Sequence, residues 1–584
     1  MAIDARHIRQ RSLPETHSLP GDLPASLQRV LSARGLERTE QLSLTLNRLA
    51  RPDGLGGLDT AARLLADLIC DNGRLLIIGD FDADGATATA LALRALRAMG
   101  LKQADYRVPN RFTQGYGLSP GLVDSLDGPA PDLLMTVDNG ISSISGVEAA
   151  KAKGWRVLVT DHHLPGETLP AADAIINPCL PDSQFPSRNL AGVGVVFYLL
   201  SAVRAQLQQR GWFHARYPAP NLAQWLDLVA LGTVADLVRL DDNNRILVKA
   251  GLDRIRSGRC SAGILALIDV SGRAPGFLTA SDLGFALAPR LNAAGRLEDM
   301  GRGIDCLLSD DPGQAKALAE ELDGLNQQRR ALQDDMQDDA LASLNHLSDD
   351  LRKQKNLPAA LCLYQPHWHQ GVVGLVASRI KERLHRPVFA FAREQEGSEQ
   401  LKGSGRSIPG VHLRDLLAAV DALHPGLIER FGGHAMAAGL TLPARHLETF
   451  ERCLSETAQK QLSPEVLERV IWTDGPLHPG ELDLQLAALL ESITPWGQGF
   501  PEPLFDNEFE VLDRQLLKQK HLKLWLDHAG QQVEAIAFDV ADRARALEGY
   551  HRMRLLYHPQ INRFRGRERL QLRVSYLLPP SAKE

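Results

Sequence analysis

From Leu75 onward the chain alternates short, unbroken apolar runs with longer stretches in which apolar residues recur at helical spacing. LLIIG at 75–79 precedes a predicted helix from about Ala86 to Met99, LLMTV at 133–137 precedes one ending near Lys153, and RVLVT follows at 156–160. Strands that are apolar on both faces and separated by helices describe a parallel sheet covered on both sides, so the first large unit is α/β. Asp311 and Pro312 can open a helix whose apolar positions, Leu318, Leu322, Leu325, Leu332 and Met336, keep a 3/4 spacing across many charged residues. Such a polar-backed helix suits either a connector or a helical hairpin. A second mixed stretch covers about 356–460, and after about 465 short strands and turn residues predict a small β-barrel, with one helical segment near 480–492. The pattern divides the chain into an N-terminal appendage (1–60, rich in Pro and Gly at both ends), a parallel-sheet unit (61–305), a connecting helix (306–350), a smaller α/β unit (351–460) and a barrel (465–580).

At 584 residues and roughly 150 per domain, about four folding units are expected. Hydrophobic residues make up 44% and charged ones 23%, which excludes wholesale disorder and a coiled-coil rod. Apolar runs such as 195–200 fall far short of the roughly 20 residues a membrane span needs. The first residues hold arginines without an apolar stretch behind them, so a cytoplasmic location is expected. Six scattered cysteines with no C-x-x-C pair argue against a zinc ribbon, an iron–sulfur site or a disulfide framework. The net charge of -6 does not draw the chain to an anionic polymer, so any nucleic-acid surface must be local.

Three apolar runs end in residues of one chemical kind. The first leads into Asp80, Asp82 and Asp84, the second into Asp138, and the third into Asp161, His162 and His163. In an open parallel sheet the carboxyl ends of strands line one crevice, so these groups converge although they are distant in sequence. Gathered carboxylates repel and raise one another's pKa unless a cation sits among them, and Asp oxygens with imidazole nitrogen suit two manganese or magnesium ions. Asp236, at the end of the helical stretch WLDLVALGTVADL, can complete the second ion's shell. If the chain is extended at His162 and His163 their side chains point to opposite sides, one to metal and one to substrate. D-x-D-x-D-G also opens an EF-hand loop, but a strand precedes this one and Leu91 stands where a bidentate Glu belongs.

GDFDADGATATA, VPNRFTQGYGL, TVDNGISS, VTDHHLP, LGTVADLVRL and PRLNAAGR, followed by SGRSIPG and GGHAMAAG, resemble in order and context the DHH phosphoesterase superfamily. Within it they resemble the RecJ family of single-strand-specific exonucleases, from about Leu75 to the end of the chain. The resemblance implies a DHH domain, a DHH-associated domain and a C-terminal OB-fold. It implies a two-metal nuclease that degrades single-stranded DNA from the 5′ end to mononucleotides in recombination and repair. As partners it implies a RecQ-type helicase and a single-stranded-DNA-binding protein, with the enzyme itself a monomer. Position by position it implies Asp82, Asp84, Asp138, His162 and Asp236 as metal ligands, Asp138 bridging both ions, with Asp80 and His163 beside them. Related pyrophosphatases carry a metal-binding His four residues before the position of Asp82; this chain has Ile78 there, and Asp80 can compensate.

On this reading His163 meets the scissile phosphate or assists proton transfer, and Arg290 neutralises phosphate charge. Asn292 and Arg296 are read beside it as DNA- or phosphate-binding residues, and helix capping or pairing with carboxylates is the alternative for Arg290, Asn292 and Arg296. Arg111, Phe112 and Tyr116 place a cation beside two rings, which could serve phosphate and bases or pack in a core. Ser404, Arg406 and His434, with Arg379 on a helix that follows the glycines at 371 and 374, make a second phosphate site, read by resemblance as the seat of the 5′-phosphate. Residues 511–580 hold 13 Lys and Arg against 7 Asp and Glu. There Arg563, Arg565, Arg567 and Arg569 alternate, projecting from one face if extended, with Trp525, Phe538 and Phe564 as stacking rings. Two other readings stay open: a phosphodiesterase for short oligonucleotides, which this basic extension disfavours, and an inactive DNA-binding scaffold, which predicts missing ligands. A dinucleotide site is excluded by the acidic turn after the first strand.

Overall fold

The computed structural model of the chain describes residues 7–14, 19–110, 114–354, 358–395, 397–564 and 566–580. Arg111, Phe112 and Arg565 lie outside the described residues.

Strands β1 (Arg74–Ile78), β2 (Gln103–Arg107), β3 (Leu133–Val137), β4 (Arg156–Thr160) and β5 (Ala174–Ile176) form a parallel sheet in the order β2-β1-β3-β4-β5. Leu75 and Ile77 enter the main core on one face, and Ile78 enters a smaller cluster with Val123, Val147 and Val159 on the other. Burial on both faces is what makes these strands read as unbroken apolar runs. From β1 the chain moves outward to β2 and returns on the other side as β3. Strand order therefore reverses between β1 and β3, and the crevice of an open sheet lies at such a reversal.

Helices α1 (Ala83–Ala98), α2 (Ile144–Ala152), α3 (Gly192–Gln209), α4 (Leu226–Ala235), α5 (Asp242–Arg256) and α6 (Ala288–Leu297) surround the sheet. Among them α1, α3 and α4 pack on one another over the main core. Helix α7 (Pro312–Gln354) is continuous, so it is the connector and not a hairpin. Its early residues Ala315, Ala319, Leu322 and Leu325 belong to the main core, whereas Met336 and Ala340 belong to the core of the next unit. That unit contains helix α8 (Val373–Leu384) and strands β6 (Leu361–Tyr364), β7 (Val388–Arg393), β8 (Gln400–Arg406), β9 (Arg430–Gly433) and β10 (Ala437–Pro443), in the order β9-β10-β8-β7-β6.

A closed barrel ends the chain: β11 (Phe505–Leu517), β12 (His521–His528), β13 (Gln531–Ala537), β14 (Arg552–Phe564) and β15 (Arg567–Leu578), closed by parallel pairing of β13 with β15. The alternating arginines do not share one strand. β14 and β15 are antiparallel partners, with Arg563 opposite Glu568, Phe564 opposite Arg567 and Asn562 opposite Arg569. Because facing residues share a side, Arg567 and Arg569 project opposite to Arg563. Arg563 is also occupied, by Glu491 at 2.8 Å and Glu568 at 2.9 Å, with its guanidinium 4.3 Å from the Phe277 ring.

The first 60 residues are more than an appendage. The helix Ala25–Ser32 buries Leu27, Val30 and Leu31 completely in the main core, and Ile8–Gln10 pairs in parallel with Ile471–Thr473. Arg34 grips Asp474 through both terminal nitrogens, at 2.6 and 3.0 Å, and a second Asp474 contact comes from the Leu504 N–H at 2.9 Å. Both side chains of this pair are 1% exposed. A helix of eight residues has little stability alone, so its apolar face is satisfied only by this docking. Removing one partner of a buried pair strands the other's charge and costs about 3–5 kcal/mol. Asp474→Ala should therefore lower stability by about that amount in urea denaturation; a loss below about 1 kcal/mol would show that the pair does not hold the clasp.

Candidate metal centre

The acidic residues gather where the sheet order reverses. Asp82 caps α1, one carboxylate oxygen accepting from the N–H groups of Asp84 (2.9 Å) and Gly85 (3.1 Å). Asn292 on α6 holds the same turn, its side-chain oxygen accepting from the Ala83 N–H at 2.8 Å. Asp84, in the first turn of α1, lies against the start of α3 and accepts from Gly192 N–H (2.6 Å) and Val193 N–H (2.9 Å). Asp138 follows β3 with φ +61°, and its N–H donates to the Thr160 carbonyl. A buried non-glycine residue held in that backbone region is the kind of local strain that collects at functional sites. Asp236 stands at the C-terminal end of α4.

Among the described residues, three groups of side chains each present ligand atoms within 4.8 Å of one another: Asp80, Asp82 and Asp138; Asp84, His162 and Asp236; and Asp138, His162 and His163. Asp138 thus stands between two clusters, and Asp80, expected to compensate for Ile78, sits in the first. Ile78 itself is buried in the apolar cluster beneath. Nε2 of His162 lies 3.0 Å from Asp138 Oδ1 and 3.5 Å from an oxygen of Asp236. Both Nε2 of His162 and Oδ1 of Asp138 are buried without a hydrogen bond.

The electrostatics of this crevice are unfavourable for a metal-free protein. Burial, then Asp82, pushes the Asp84 carboxyl up to about 7. Burial and the neighbouring aspartates also raise Asp138 and Asp236 well above the carboxylate range. Burial, then His163, lowers His162 to about 3, so its ring is neutral, and a hydrogen bond to the Leu190 backbone leaves Nε2 as the lone-pair side. An unprotonated imidazole nitrogen facing a carboxylate oxygen inside an acidic cluster fits a divalent cation between them.

His162 and His163 do not diverge. The chain leaves the strand at Thr160, so the alternation of an extended segment does not apply, and the two rings lie 4.5 Å apart. Asp161, which the sequence placed in the cluster without a task, sets their arrangement. One of its oxygens accepts from the N–H groups of His162 and His163 and pairs with His163 Nδ1 at 2.7 Å; the other accepts from Ile141 N–H. Burial opposes a charge on His163, but the Asp161 bond outweighs it and raises the imidazole to about 9. The Tyr116 hydroxyl donates to the Asp138 carbonyl oxygen at 3.1 Å and lies 3.4 Å from His163 Nδ1. That contact gives Tyr116 a role in shaping the crevice that its spacing did not suggest.

Arg290 is a correction. It is 8% exposed, paired with Asp323 of α7 at 2.7 Å and bonded to the Ala286 carbonyl, so it joins α6 to α7 and its charge is already matched. Carboxylate pairing, the alternative reading, describes it. Arg296 donates to the Gly371 carbonyl at 3.3 Å and so ties the parallel-sheet unit to the second one. There Ser404 and Arg406 lie against Gly374 in α8, where a Cβ would come within 2.8 Å of both side chains. Arg379 is exposed and near Glu382. His434 stacks on His163, ring centres 6.1 Å apart and 16° from parallel, which brings the second unit over the metal cluster.

Family models match three stretches of the chain: the DHH family N-terminal domain at residues 74–233, the DHHA1 domain at 356–460 and the RecJ OB domain at 473–576. The single-stranded-DNA-specific exonuclease RecJ of Escherichia coli is 49% identical over 575 residues, 98% of this chain and 99% of that protein. The crystal structure of RecJ from Thermus thermophilus in complex with Mn2+ superposes with a TM-score of 0.78 at 30% identity, covering 100% of this chain and 81% of that one. The Mg2+ complex from the same organism gives 0.73 at 29%, covering 99% and 79%.

Gly192 exists where it does because a Cβ there would lie 2.6 Å from Asp138 Cβ and 2.8 Å from its Oδ1. Gly192→Ala should displace that carboxylate and weaken Mn2+ binding by at least about tenfold in calorimetry; unchanged affinity would remove Asp138 from the metal-binding set.

Proposed function

The chain belongs to the RecJ family of single-stranded-DNA-specific exonucleases, and from that premise we propose a two-metal phosphodiester hydrolase that shortens single strands from the 5′ end and releases 5′-mononucleotides. The observation that carries this reading is the buried to half-buried crevice of Asp80, Asp82, Asp84, Asp138, His162 and Asp236, in which Asp138 and His162 are each common to two of the three ligand groups. Two divalent ions, manganese or magnesium, would supply an activated water and stabilise charge on the phosphoryl and leaving oxygens.

The protein's own groups do the rest. Asp82, Asp84, Asp138, His162 and Asp236, joined by Asp80, would hold the ions, with Asp138 common to two of the three ligand groups. His163, kept protonated by Asp161, meets the scissile phosphate with positive charge and has a proton to give at the ring nitrogen that Asp161 does not hold. Ser404, Arg406 and His434, together with the start of α8, take the terminal 5′-phosphate. A strand end seated there is measured from a fixed point, which sets both polarity and one-nucleotide steps. Asn292 and Arg296 steady the crevice and its junction with the second unit, and Arg379 adds charge at that unit's rim.

On the barrel, Lys523 lies over the Trp525 ring at 4.6 Å, and Phe538 and Phe564 are exposed. These rings, with Arg567 and Arg569, would carry the trailing strand by stacking and charge. Residues 61–305 then act as the catalytic domain, 351–460 as the end-binding domain and 465–580 as the strand-binding domain, with 306–350 joining the first two. No helix among the described residues is long and apolar enough to cross a membrane. The enzyme works as a cytoplasmic monomer in recombination and repair, beside a RecQ-type helicase that opens duplexes and a single-stranded-DNA-binding protein that coats the product strand.

Matched single- and double-stranded DNA, labelled at either end, should release mononucleotides only from the 5′ end of single strands, with Mn2+ or Mg2+ and not with EDTA. Asp138→Ala should remove turnover and keep single-strand binding; turnover in that variant would sink the bridging role. Trp525→Ala should weaken binding of long strands by about 1–3 kcal/mol while barely slowing cleavage of short ones. Equal affinity for long strands in a filter-binding titration would take Trp525 out of the strand path.

A further inference from the structure

Two of the proposed ligands, His162 and Asp236, are backed by segments that hydrogen-bond to each other. His162 bonds to the backbone of Leu190, and the preceding residue, Asn189, donates through its side chain to Asp241 at 3.0 Å. Asp236 ends α4, and residues 237–241 run from it into α5. Asp241 caps α5 through the Asn244 N–H at 3.0 Å, and its other oxygen accepts from the Ser187 hydroxyl at 2.6 Å as well as from Asn189. Asn244, fully buried, donates to the Asn189 carbonyl (2.6 Å) and the Arg239 carbonyl (2.9 Å). A single hydrogen-bonded network therefore holds the loop behind His162 and the loop behind Asp236 in register.

This network is closed by a turn from the far end of the chain. Gly497 and Phe500 exchange backbone hydrogen bonds, and the Leu240 N–H donates to the Gln498 carbonyl at 2.8 Å. The fit is close: a Cβ on Gly497 would lie 2.8 Å from Leu240 Cδ1, and one on Gly499 would lie 2.4 Å from Arg239 Cγ. Trp496 and Phe500 stack 5.4 Å apart, with Arg34 of the N-terminal clasp against Trp496 (5.5 Å) and the buried Arg245 of α5 against Phe500 (4.5 Å). The turn is thus held by Arg34 from the N-terminal segment and by Arg245 of α5 while it packs on the segment that follows Asp236.

We propose that residues 496–500 are a positioning element of the metal centre, acting through Leu240, Asp241 and Asn189 on Asp236 and His162. The segment that leads into the barrel then does more than carry DNA-binding strands, because it sets the geometry of the crevice. This rests on the two-metal reading above. Groups that orient a ligand from behind change metal affinity by about 10–100-fold when removed.

The test is Mn2+ titration of the full chain without DNA, followed by calorimetry and by the Mn2+ paramagnetic resonance spectrum. Asp241→Asn keeps a helix cap of equal quality but turns an acceptor for Ser187 and Asn189 into a donor. Gly497→Val pushes on Leu240 from the turn. Both should bind Mn2+ about tenfold more weakly with an altered spectrum, while Glu548→Gln, at an exposed position of the barrel with no assigned role, binds it as the unaltered chain does. Wild-type affinity and spectrum in a folded Asp241→Asn protein overturn the proposal, and that variant decides the matter should Gly497→Val not fold. If the unaltered chain itself bound no Mn2+, the two-metal reading would be the one to fall.

Discussion

Everything in the catalytic unit is arranged around the mutual repulsion of carboxylates held out of water. Asp84 and Asp138 are each 1% exposed, and Asp80 is 3% exposed. Burial and repulsion act in the same direction on Asp84, Asp138 and Asp236, favouring protonation, so the folded protein stores unfavourable energy unless positive charge is supplied. The fold supplies part of it. The first N–H groups of α3 meet Asp84, the N–H groups of α1 meet Asp82, and the charged His163 stands alongside. These are partial compensations. They leave His162 Nε2 and Asp138 Oδ1 facing one another, with room in the electrostatics for cations.

Close packing is the second half of that constraint. Helices approach the carboxylates so nearly that glycine is required at the contacts: Gly232 in α4 would place a Cβ 2.8 Å from Asp84 Oδ1, and Gly295 in α6 would place one 1.8 Å from the Phe81 carbonyl oxygen. Such contacts exclude water and raise the strength of each charge interaction. They also mean that ligand positions depend on helices whose own positions are fixed elsewhere. Helix α6 is fastened to α7 by Arg290 and Asp323, and α7 runs on into the core of the second unit. The second unit and the acidic cluster therefore share a continuous helix as well as the stacked pair His163 and His434.

What was legible in the sequence follows from which forces are local. Strand ends, the acidic turn and the connector helix were readable because apolar periodicity and capping are written in neighbouring residues; Asp82 capping α1 is an example. The ligands' convergence was readable because strand ends in a parallel sheet must share an edge. What escaped depends on partners far along the chain. Arg290 looked like a phosphate contact until Asp323, on another helix, took its charge. Arg563 looked like part of a basic stripe, but the reversal between β14 and β15 sends Arg567 and Arg569 to the opposite side and gives Arg563 to Glu491. The N-terminal residues read as a loose appendage because proline and glycine mark linkers statistically, while the docking of Leu27, Val30 and Leu31 is a tertiary event.

The same distinction explains why a two-metal site requires so much of the chain. A carboxylate ligand is cheap to specify, since one aspartate at a strand end suffices; its position to within a fraction of an ångström is not. Asp138 is held by a strained backbone, His162 by Leu190, His163 by Asp161, and Asp236 by the segment that follows α4. Each support draws on residues from a different stretch of sequence, and the last draws on the turn at 496–500, more than 250 residues away, through the Leu240 to Gln498 hydrogen bond. Long-range supports of this kind couple the crevice to the integrity of the whole molecule.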